Sequence, residues 1–364
     1  QDEVKSLPAL WHFSRMTFRW LIEALPRFPA SRVLLAALLG AAILRALRAA
    51  RCRILSIPAG AQRTKRHHFV LPRRGGLPAL ALDIQVAGPP RKHAAKDAAD
   101  HPLILYVLDP EPLLFGMAAL FAYAQAGYYP MAEGNAEAQF RRLFVVGVGH
   151  SSSSFALDAE GFDNTKLRNV RRRDFPPWDH PAIRPGGGSN PCAARFVEGL
   201  VDEVIPYVEG QLLGLRPGAA TPERRCLMGA SYSAVVALQV MLARPAFKHF
   251  ALGSPSVCFD PAILEDVRTG AAAGAAAASG ARVGIWVGAR EHEGTKKGPD
   301  GKALVPGNVH DKMLEGCRDL AEALRDRGVV VEGVHELPGE DHGTIKPALV
   351  SRGLMWFAQG RASV

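Results

Sequence analysis

Short apolar runs alternate with segments of helical periodicity along most of this chain. Strands that are apolar at every position are typical of a parallel sheet that is covered on both faces. The apolar runs of strand length are residues 103–108, 143–148, 225–228, 250–253, 283–287 and 329–337. The helical segments between and after them are residues 113–127, 196–213, 233–243, 313–327 and 347–358. This alternation predicts an α/β fold built on a mostly parallel, doubly wound sheet with helices on both faces.

Two other patterns complete the predicted architecture. Residues 68–71 and 80–86 are strand-like and are separated by a Pro/Gly-rich turn at 72–76, which predicts an N-terminal antiparallel hairpin. Residues 184–191 and 270–280 are rich in Gly, Pro or Ala. We expect both to be loops, and we interpret the second as a flexible surface insertion rather than a short helix.

The N-terminal region differs in composition from the rest. Between residues 24 and 82 there are ten arginines and one lysine but no acidic residue. An acid-free segment rich in Ala, Leu and Arg is typical of an organellar transit sequence. The apolar run at 33–44 also fits a signal segment or a helix on a membrane surface, and a leader without function is a third interpretation. We therefore divide the chain into an N-terminal extension, residues 1–62, and a second domain, residues 63–364, which holds the α/β pattern. The sequence does not fix the location, which would be cytoplasmic or organellar if residues 1–62 are a transit-type leader.

Charge and cysteine content narrow the class of function. The net charge of +9 belongs to the N-terminal region, because the rest of the chain holds 33 basic against 35 acidic residues. A phosphate-binding surface is therefore not required, and we expect no nucleic-acid partner. Five widely spaced cysteines without a C-x-x-C pair indicate neither a disulfide framework nor a zinc site. We expect no metal and no cofactor, a small-molecule substrate, and contact with a membrane surface only through the N-terminal segment.

The strongest chemical signal is Gly229-Ala-Ser231-Tyr-Ser233. It follows the strand-like run 225–228 and leads into a helical run. A serine in a sharp turn between a strand and a helix is typical of the G-x-S-x-G nucleophile elbow. Small residues must flank the strained turn, and Ser233, which replaces the last glycine, is still small. The alternative interpretation is a buried serine that caps the helix.

A nucleophilic serine needs a base to accept its proton and an acid to orient the base. In α/β-hydrolases these groups follow the chain order serine, acid, histidine, each on a loop after a strand. His342 lies directly after the last predicted strand, and Glu291 follows the strand before it. We predict His342 as the base and Glu291 as the acid. Glu293 and Asp341 are the alternatives, and Asp341 is disfavoured because adjacent side chains in an extended loop diverge.

The negative charge that develops on a substrate oxygen needs two backbone N–H donors. The first is predicted at Tyr232, directly after the nucleophile. The second is predicted in the loop after the strand 103–108, at Glu111, because the prolines on either side of it have no N–H.

Two further segments are candidates for roles near the site. The basic run at 171–173 is typical of a solvated loop, but in a cleft Arg172 and Arg173 would hold an anionic or hydroxyl-rich substrate group. Gly149-His-Ser151-Ser-Ser153 resembles a second elbow, but the segment behind it is too short and too Gly-bounded for the required helix. We expect this second elbow not to be catalytic.

In this order, the segments resemble an esterase family of α/β-hydrolases that includes the siderophore (enterobactin-type) esterases and esterase D-like enzymes. The resemblance covers about residues 66–358. The matching segments are Tyr106-Val-Leu-Asp109, Val146-Gly-Val-Gly149, Arg172-Arg-Asp174-Phe-Pro-Pro177, Glu203-Val-Ile-Pro206-Tyr, Met228-Gly-Ala-Ser231, Ser254-Pro-Ser256 and Gly339-Glu-Asp-His342-Gly.

The resemblance implies an α/β-hydrolase fold, with Ser231 as nucleophile and His342 as base. Three departures bear on the chemistry. Ser233 and Pro110 stand where the family has glycine, and His150-Ser-Ser stands where the family has Tyr-Pro.

Three functions follow as hypotheses. The first is a serine carboxylic-ester hydrolase that forms an acyl-enzyme on Ser231 and acts on a polar ester or lactone of siderophore type. The others are an acyltransferase of the same fold and an inactive hydrolase fold used as a binding module.

Overall fold

The computed structural model describes the chain from residue 65 onward, with gaps. The described residues are 65–72, 74, 79–89, 101–109, 114–128, 139–151, 171, 174–175, 191–259, 261–291 and 312–359. The predicted N-terminal extension and residues 184–190 of the predicted loop lie outside these residues, so both stay predictions. Pro191, the last residue of that predicted loop, is instead the first residue of a helix.

Eight strands form one sheet in the order β1-β2-β4-β3-β5-β6-β7-β8. Their bounds are β1 Lys65–Leu71, β2 Leu80–Ala87, β3 Leu103–Leu108, β4 Leu143–His150, β5 Arg225–Ala230, β6 His249–Gly253, β7 Arg282–Gly288 and β8 Val330–Leu337. β2 is antiparallel to both β1 and β4, and all the other neighbouring pairs are parallel. The predicted hairpin and the predicted parallel sheet are therefore confirmed.

Seven α-helices pack around the sheet in the described part of the chain. They are α1 Leu114–Tyr123, α2 Pro191–Gly199, α3 Tyr232–Ala243, α4 Pro261–Thr269, α5 Ala271–Ala278, α6 Met313–Asp326 and α7 Ile345–Gln359. α2 continues in wider π-helical turns at Leu200–Val204 and Tyr207–Leu212. None of these described helices combines the length and the apolar character that crossing a membrane requires.

The two faces of the sheet bury separate apolar clusters, as expected for a sheet covered on both sides. Along β3, Ile104, Tyr106 and Leu108 belong to the larger cluster, which includes residues of α3 and α6. Leu103, Leu105 and Val107 point to the other face. There they join apolar side chains of α1 and α7. The alternation of side chains along a strand thus places helices on both faces.

The Ala/Gly segment 270–280 corrects a prediction. Residues Ala271–Ala278 form α5, which packs against α3, and Ala273 and Ala276 are buried. Alanine has the highest helix propensity of all residues, so a run of alanines favours a helix over a flexible insertion. Gly270 directly precedes the helix, Gly280 follows its last turn, and Gly274 lies inside it. Gly280 has a φ of 72°, the left-handed conformation that ends many helices.

Candidate active site

The nucleophile elbow joins the end of β5 to the start of α3. Ser231 lies between them with φ 59° and ψ −123°, a conformation that costs a non-glycine residue about 1–3 kcal/mol. The close turn explains Gly229, because a Cβ atom there would lie 2.3 Å from the carbonyl oxygen of Ser233. The predicted elbow is therefore present, and Ser231 does not cap α3 through its side chain.

Ser233 fits the position where the family pattern has glycine. Its side chain is fully buried, and its hydroxyl donates to the carbonyl oxygen of Ala230 at 2.8 Å. The same hydroxyl oxygen accepts from the backbone N–H of Ala230 at 2.9 Å. The two bonds span the nucleophile, so this substitution holds the turn closed rather than opening it.

Ser231, His342 and Glu291 form one hydrogen-bonded chain. Ser231 Oγ lies 3.0 Å from His342 Nε2, and His342 Nδ1 lies 2.8 Å from Glu291 Oε2. These are the distances at which an imidazole accepts a proton from a hydroxyl while a carboxylate fixes its tautomer. The structure thus brings together the three residues that the chain order predicted.

Glu291 is buried, with 2% of its surface exposed. Burial raises its pKa, but the hydrogen bond and charge of His342, the Ser254 hydroxyl and the backbone N–H of Gly288 together outweigh this effect. Its pKa is therefore lowered from the ordinary value, and Glu291 stays ionised. A carboxylate in this position accepts the Nδ1–H of His342, and in that tautomer Nε2 carries no hydrogen and faces Ser231 Oγ.

Asp341, one of the alternative acids, has a different role. Its carboxylate accepts from the backbone N–H groups of Gly343 and Thr344 at 2.8 and 2.9 Å. These two bonds lower its pKa and close the turn that leads into α7. The other alternative, Glu293, lies outside the described residues.

Close backbone approach brings the histidine loop to the acid. Gly288 ends β7, and a Cβ atom there would lie 2.5 Å from the carbonyl oxygen of Glu340. The N–H of Arg290 donates to that same oxygen at 2.9 Å. The loop after β8 is therefore bound to the loop after β7, which aligns His342 with Glu291.

Of the two predicted oxyanion donors, Tyr232 and Glu111, the structure describes only Tyr232. Tyr232 is the first residue of α3, and N–H groups in the first turn of a helix point out of its N-terminal end. Glu111 lies outside the described residues, so its role stays a prediction. Asp109, at the start of that loop, has a φ of 58° and donates its N–H to Val148 O at 3.1 Å.

A charged cluster includes Arg171, whose guanidinium lies near the ring of Tyr232, the residue after Ser231. Arg171 forms an ion pair with Asp109, and its guanidinium lies 5.9 Å from the centre of the Tyr232 ring. The pKa of Lys346, on α7, is lowered by burial and then by the charge of Arg171, while Asp109 acts in the opposite direction. Arg172 and Arg173 lie outside the described residues. The sequence pattern pointed to this basic run but not to Lys346, which is distant in the chain.

The loop after β6 supplies two hydroxyls that the sequence pattern did not assign. Ser254 donates to Glu291 Oε1, and Ser256 Oγ lies 3.0 Å from Ser231 Oγ. Both serines are fully buried. The Ser-Pro-Ser segment was visible only as part of the family resemblance, which gave no role to either hydroxyl.

The second elbow-like segment contributes one residue, His150, to a buried polar pair. His150, the last residue of β4, has its Nε2 2.9 Å from the carboxylate of Asp174, and both side chains are almost fully buried. The ring of Phe175 packs on His150 with centroids 4.9 Å apart. These contacts attach the segment that follows Arg171 to the sheet.

Comparison with known proteins identifies the fold. No protein-family model matches the chain, and no curated protein matches it in sequence. The siderophore hydrolase EstA from Aspergillus nidulans has a TM-score of 0.58 at 19% identity, with 82% of this chain and 95% of that chain covered. The siderophore hydrolase EstB from the same organism has a TM-score of 0.57 at 21% identity, with 83% and 96% covered. The BES protein from Bacillus cereus has a TM-score of 0.54 at 19% identity, with 81% and 96% covered. The chain has the α/β-hydrolase fold of these proteins, as the resemblance predicted.

Proposed function

We propose that this protein is a serine carboxylic-ester hydrolase that acts through an acyl-enzyme on Ser231. The observation that carries the proposal is the hydrogen-bonded chain from Ser231 through His342 to the ionised Glu291. It lies on a strained elbow at the carboxyl edge of the sheet, which is the arrangement that activates serine in α/β-hydrolases. The names of two structural neighbours, siderophore hydrolases, support the same class of reaction.

Acylation begins when His342 Nε2 takes the hydroxyl proton of Ser231 while Oγ attacks the ester carbonyl carbon. The carbonyl electron pair moves to its oxygen, and the N–H of Tyr232, with that of Glu111, stabilises the oxyanion. The intermediate collapses by breaking the bond to the alcohol oxygen, which leaves with the proton from Nε2. Glu291 acts through His342 and is a positioning residue.

Deacylation repeats these steps with water. His342 Nε2 takes a proton from water, and the water oxygen attacks the acyl carbon. When the second intermediate collapses, the bond between the acyl carbon and Ser231 Oγ breaks. Oγ keeps the electron pair and receives the proton from Nε2, which restores the starting enzyme and releases the acid.

The substrate class that we propose is a polar ester or lactone of siderophore type that carries an acidic group. Arg171 lies near the ring of Tyr232, the residue after Ser231, and it interacts with Asp109 and Lys346, so the three charges sum to one positive charge. A half-buried lysine beside an arginine gains free energy from an anionic partner because its own charge is poorly solvated. A substrate carboxylate or acidic hydroxyl would supply that partner.

Hydrolysis assays test the reaction class. We expect the wild type to hydrolyse p-nitrophenyl butyrate and a catechol trilactone, and Ser231→Ala to lose about 10⁴-fold or more of kcat. Ser351→Ala is the matched control, since Ser351 bonds only to the carbonyl of Ala348 within α7 among the contacts described. Equal activity of Ser231→Ala and wild type would overturn the proposal. Covalent labelling of Ser231 without hydrolysis of any ester would favour the acyltransferase.

A pair of substrates tests the anionic group. Arg171→Gln should raise the KM of a carboxylate-bearing ester about tenfold or more and leave the KM of a neutral ester nearly unchanged. Only the carboxylate-bearing ester loses a charge partner in this variant. Arg244→Gln is the control, since Arg244 pairs with Asp202 on the exposed surface. Equal effects of Arg171→Gln on both esters would contradict the proposed substrate class.

A further inference from the structure

The hydroxyl of Ser256 is held against Ser231 Oγ from the loop that follows the neighbouring strand β6. Its Oγ lies 3.0 Å from Ser231 Oγ, and its backbone N–H donates to the carbonyl oxygen of Ser231 at 3.4 Å. The N–H of Ser231 donates in turn to Gly253 O at 2.8 Å. Because Ser256 is fully buried, water does not reach the side chain to take over its bond.

The direction of the bond between the two serines follows from the number of hydrogens available. Glu291 accepts the Nδ1–H of His342, so Nε2 of the neutral ring carries no hydrogen and must accept. The single hydroxyl hydrogen of Ser231 therefore goes to Nε2. Ser231 Oγ has only lone pairs left for Ser256, so Ser256 is the donor.

We propose that Ser256 is a fourth catalytic group, which donates a hydrogen bond to Ser231 Oγ and assists its departure during deacylation. The inference rests on the proposed hydrolase function. It assigns a role to a hydroxyl that contacts the reacting atom and lies outside the serine, histidine and acid of the triad.

The two half-reactions use this bond differently. In acylation the bond exists before attack, and it weakens as an electron pair of Oγ moves to the carbonyl carbon. In the acyl-enzyme, Oγ is an ester oxygen and a poor acceptor. When deacylation breaks the bond between carbon and Oγ, negative charge develops on Oγ and the hydrogen bond strengthens. An interaction that is stronger in the transition state than in the ground state accelerates that step.

The experiment separates attack by Ser231 from its departure. A fluorophosphonate reacts with Ser231 by attack alone, whereas turnover of p-nitrophenyl butyrate needs both steps. Ser256→Ala should be labelled at a rate within about twofold of the wild-type rate. Its kcat should fall about tenfold, which is the rate loss expected when one hydrogen bond to the transition state is removed. The acyl-enzyme should accumulate, so that a burst of p-nitrophenolate approaches one per enzyme and intact mass spectrometry detects the butyryl adduct.

Two outcomes would overturn the proposal. If labelling and turnover fall by the same factor, Ser256 only positions the nucleophile. If turnover is unchanged, the bond has no catalytic role. Loss of all labelling in the wild type would instead refute the hydrolase function itself, so the two failures are distinguishable.

A second variant keeps the test valid if the buried alanine destabilises the protein. Ser256→Cys fills the same space, but a thiol is a weaker donor than a hydroxyl. Its kcat should lie between those of wild type and Ser256→Ala, again with a nearly unchanged labelling rate. A Ser256→Cys enzyme with the full wild-type kcat would contradict the proposal, and Ser351→Ala serves as the distant serine control.

Discussion

At the residue scale, the site depends on side chains whose surroundings decide their protonation. His342 links Ser231 to Glu291 through its two ring nitrogens, and its Nε2 accepts from Ser231 in only one tautomer. The buried carboxylate of Glu291 selects that tautomer. Asp341 is adjacent to His342 in the chain, but its carboxylate accepts from the backbone N–H groups of Gly343 and Thr344, in the turn that precedes α7.

Exchanging the two acids for amides tests which one serves His342. Glu291→Gln should lower kcat about 10³- to 10⁴-fold, because the amide permits the wrong tautomer and does not stabilise the imidazolium. Asp341→Asn should lower kcat only a few-fold, since its carboxylate contacts the turn and not the ring. The measurement is steady-state hydrolysis of p-nitrophenyl butyrate by the two variants. A loss in Asp341→Asn as large as that in Glu291→Gln would show that the acid is misassigned.

The residues that could be predicted differ physically from those that could not. Ser231, Glu291 and His342 each follow a strand, and the carboxyl ends of parallel strands meet at one edge, so chain order alone places them together. Ser256 and Ser254 reach the site because the chain turns sharply after β6, where Ser254 has a φ of 39°. No pattern of polar and apolar residues encodes that turn.

At the scale of elements, close backbone contacts set the geometry of the site. The elbow between β5 and α3 needs Gly229, because its Cα lies against the backbone of Ser233 and Ala234. The loops after β7 and β8 approach each other through Gly288 and Glu340. Each contact lies between backbone atoms, which cannot rotate away as a side chain can.

Gly229→Ala tests the elbow. The added Cβ would lie 2.3 Å from Ser233 O and 2.8 Å from the nitrogen of Ala234, so the first turn of α3 must shift. We expect the free energy of unfolding to fall by about 1–3 kcal/mol and kcat to fall by more than tenfold, measured by urea unfolding and ester hydrolysis.

Gly116→Ala is the matched control for that variant. Gly116 lies in α1, and a Cβ atom there would meet nothing within 4 Å. Because alanine favours helix over glycine, this variant should be as stable as wild type or more stable by up to about 1 kcal/mol. If Gly229→Ala behaves like Gly116→Ala in both assays, the close approach at the elbow is not required.

The failed prediction at 270–280 also belongs to this scale. The glycines at the two ends suggested a flexible insertion, but they flank the helix rather than interrupt it, and α5 gains apolar contact with α3. A Cβ atom at Gly274, inside the helix, would lie 3.8 Å from Arg327 Nη2, so no close approach requires glycine there. Tertiary packing therefore adds to the propensity of alanine, and composition alone does not reveal that contact.

At the scale of the whole molecule, one sheet gathers residues that are far apart in the chain. Ser231 and His342 are separated by 111 positions, and β6 and β7 lie between their strands. The alternation of apolar and helical segments predicted this architecture, because a parallel sheet needs a helix between successive strands. The substrate could not be predicted in the same way, since the charged cluster of Arg171, Asp109 and Lys346 forms only in the folded chain.

The site should also contribute to stability in a pH-dependent way. The pKa of Glu291 is lowered in the folded protein, so its ionised form stabilises the fold at pH values above its unfolded pKa of about 4.3. That stability is lost as the pH falls through the lower, folded pKa, below which Glu291 is protonated in both states. The difference in unfolding free energy between wild type and Glu291→Gln should therefore shrink as the pH falls from 7 to below 4. Urea unfolding at several pH values measures it, and a constant difference would contradict the assignment of a lowered pKa.

The central claim is that Ser231 is an activated nucleophile. The direct measurement is reaction of the full chain with a fluorophosphonate, followed by intact mass spectrometry and peptide mapping. The account predicts one adduct per chain, on the peptide that holds Ser231, and no adduct on Ser231→Ala or on heat-unfolded wild type. Absence of label on the folded wild type, or equal labelling of Ser231→Ala, would contradict it.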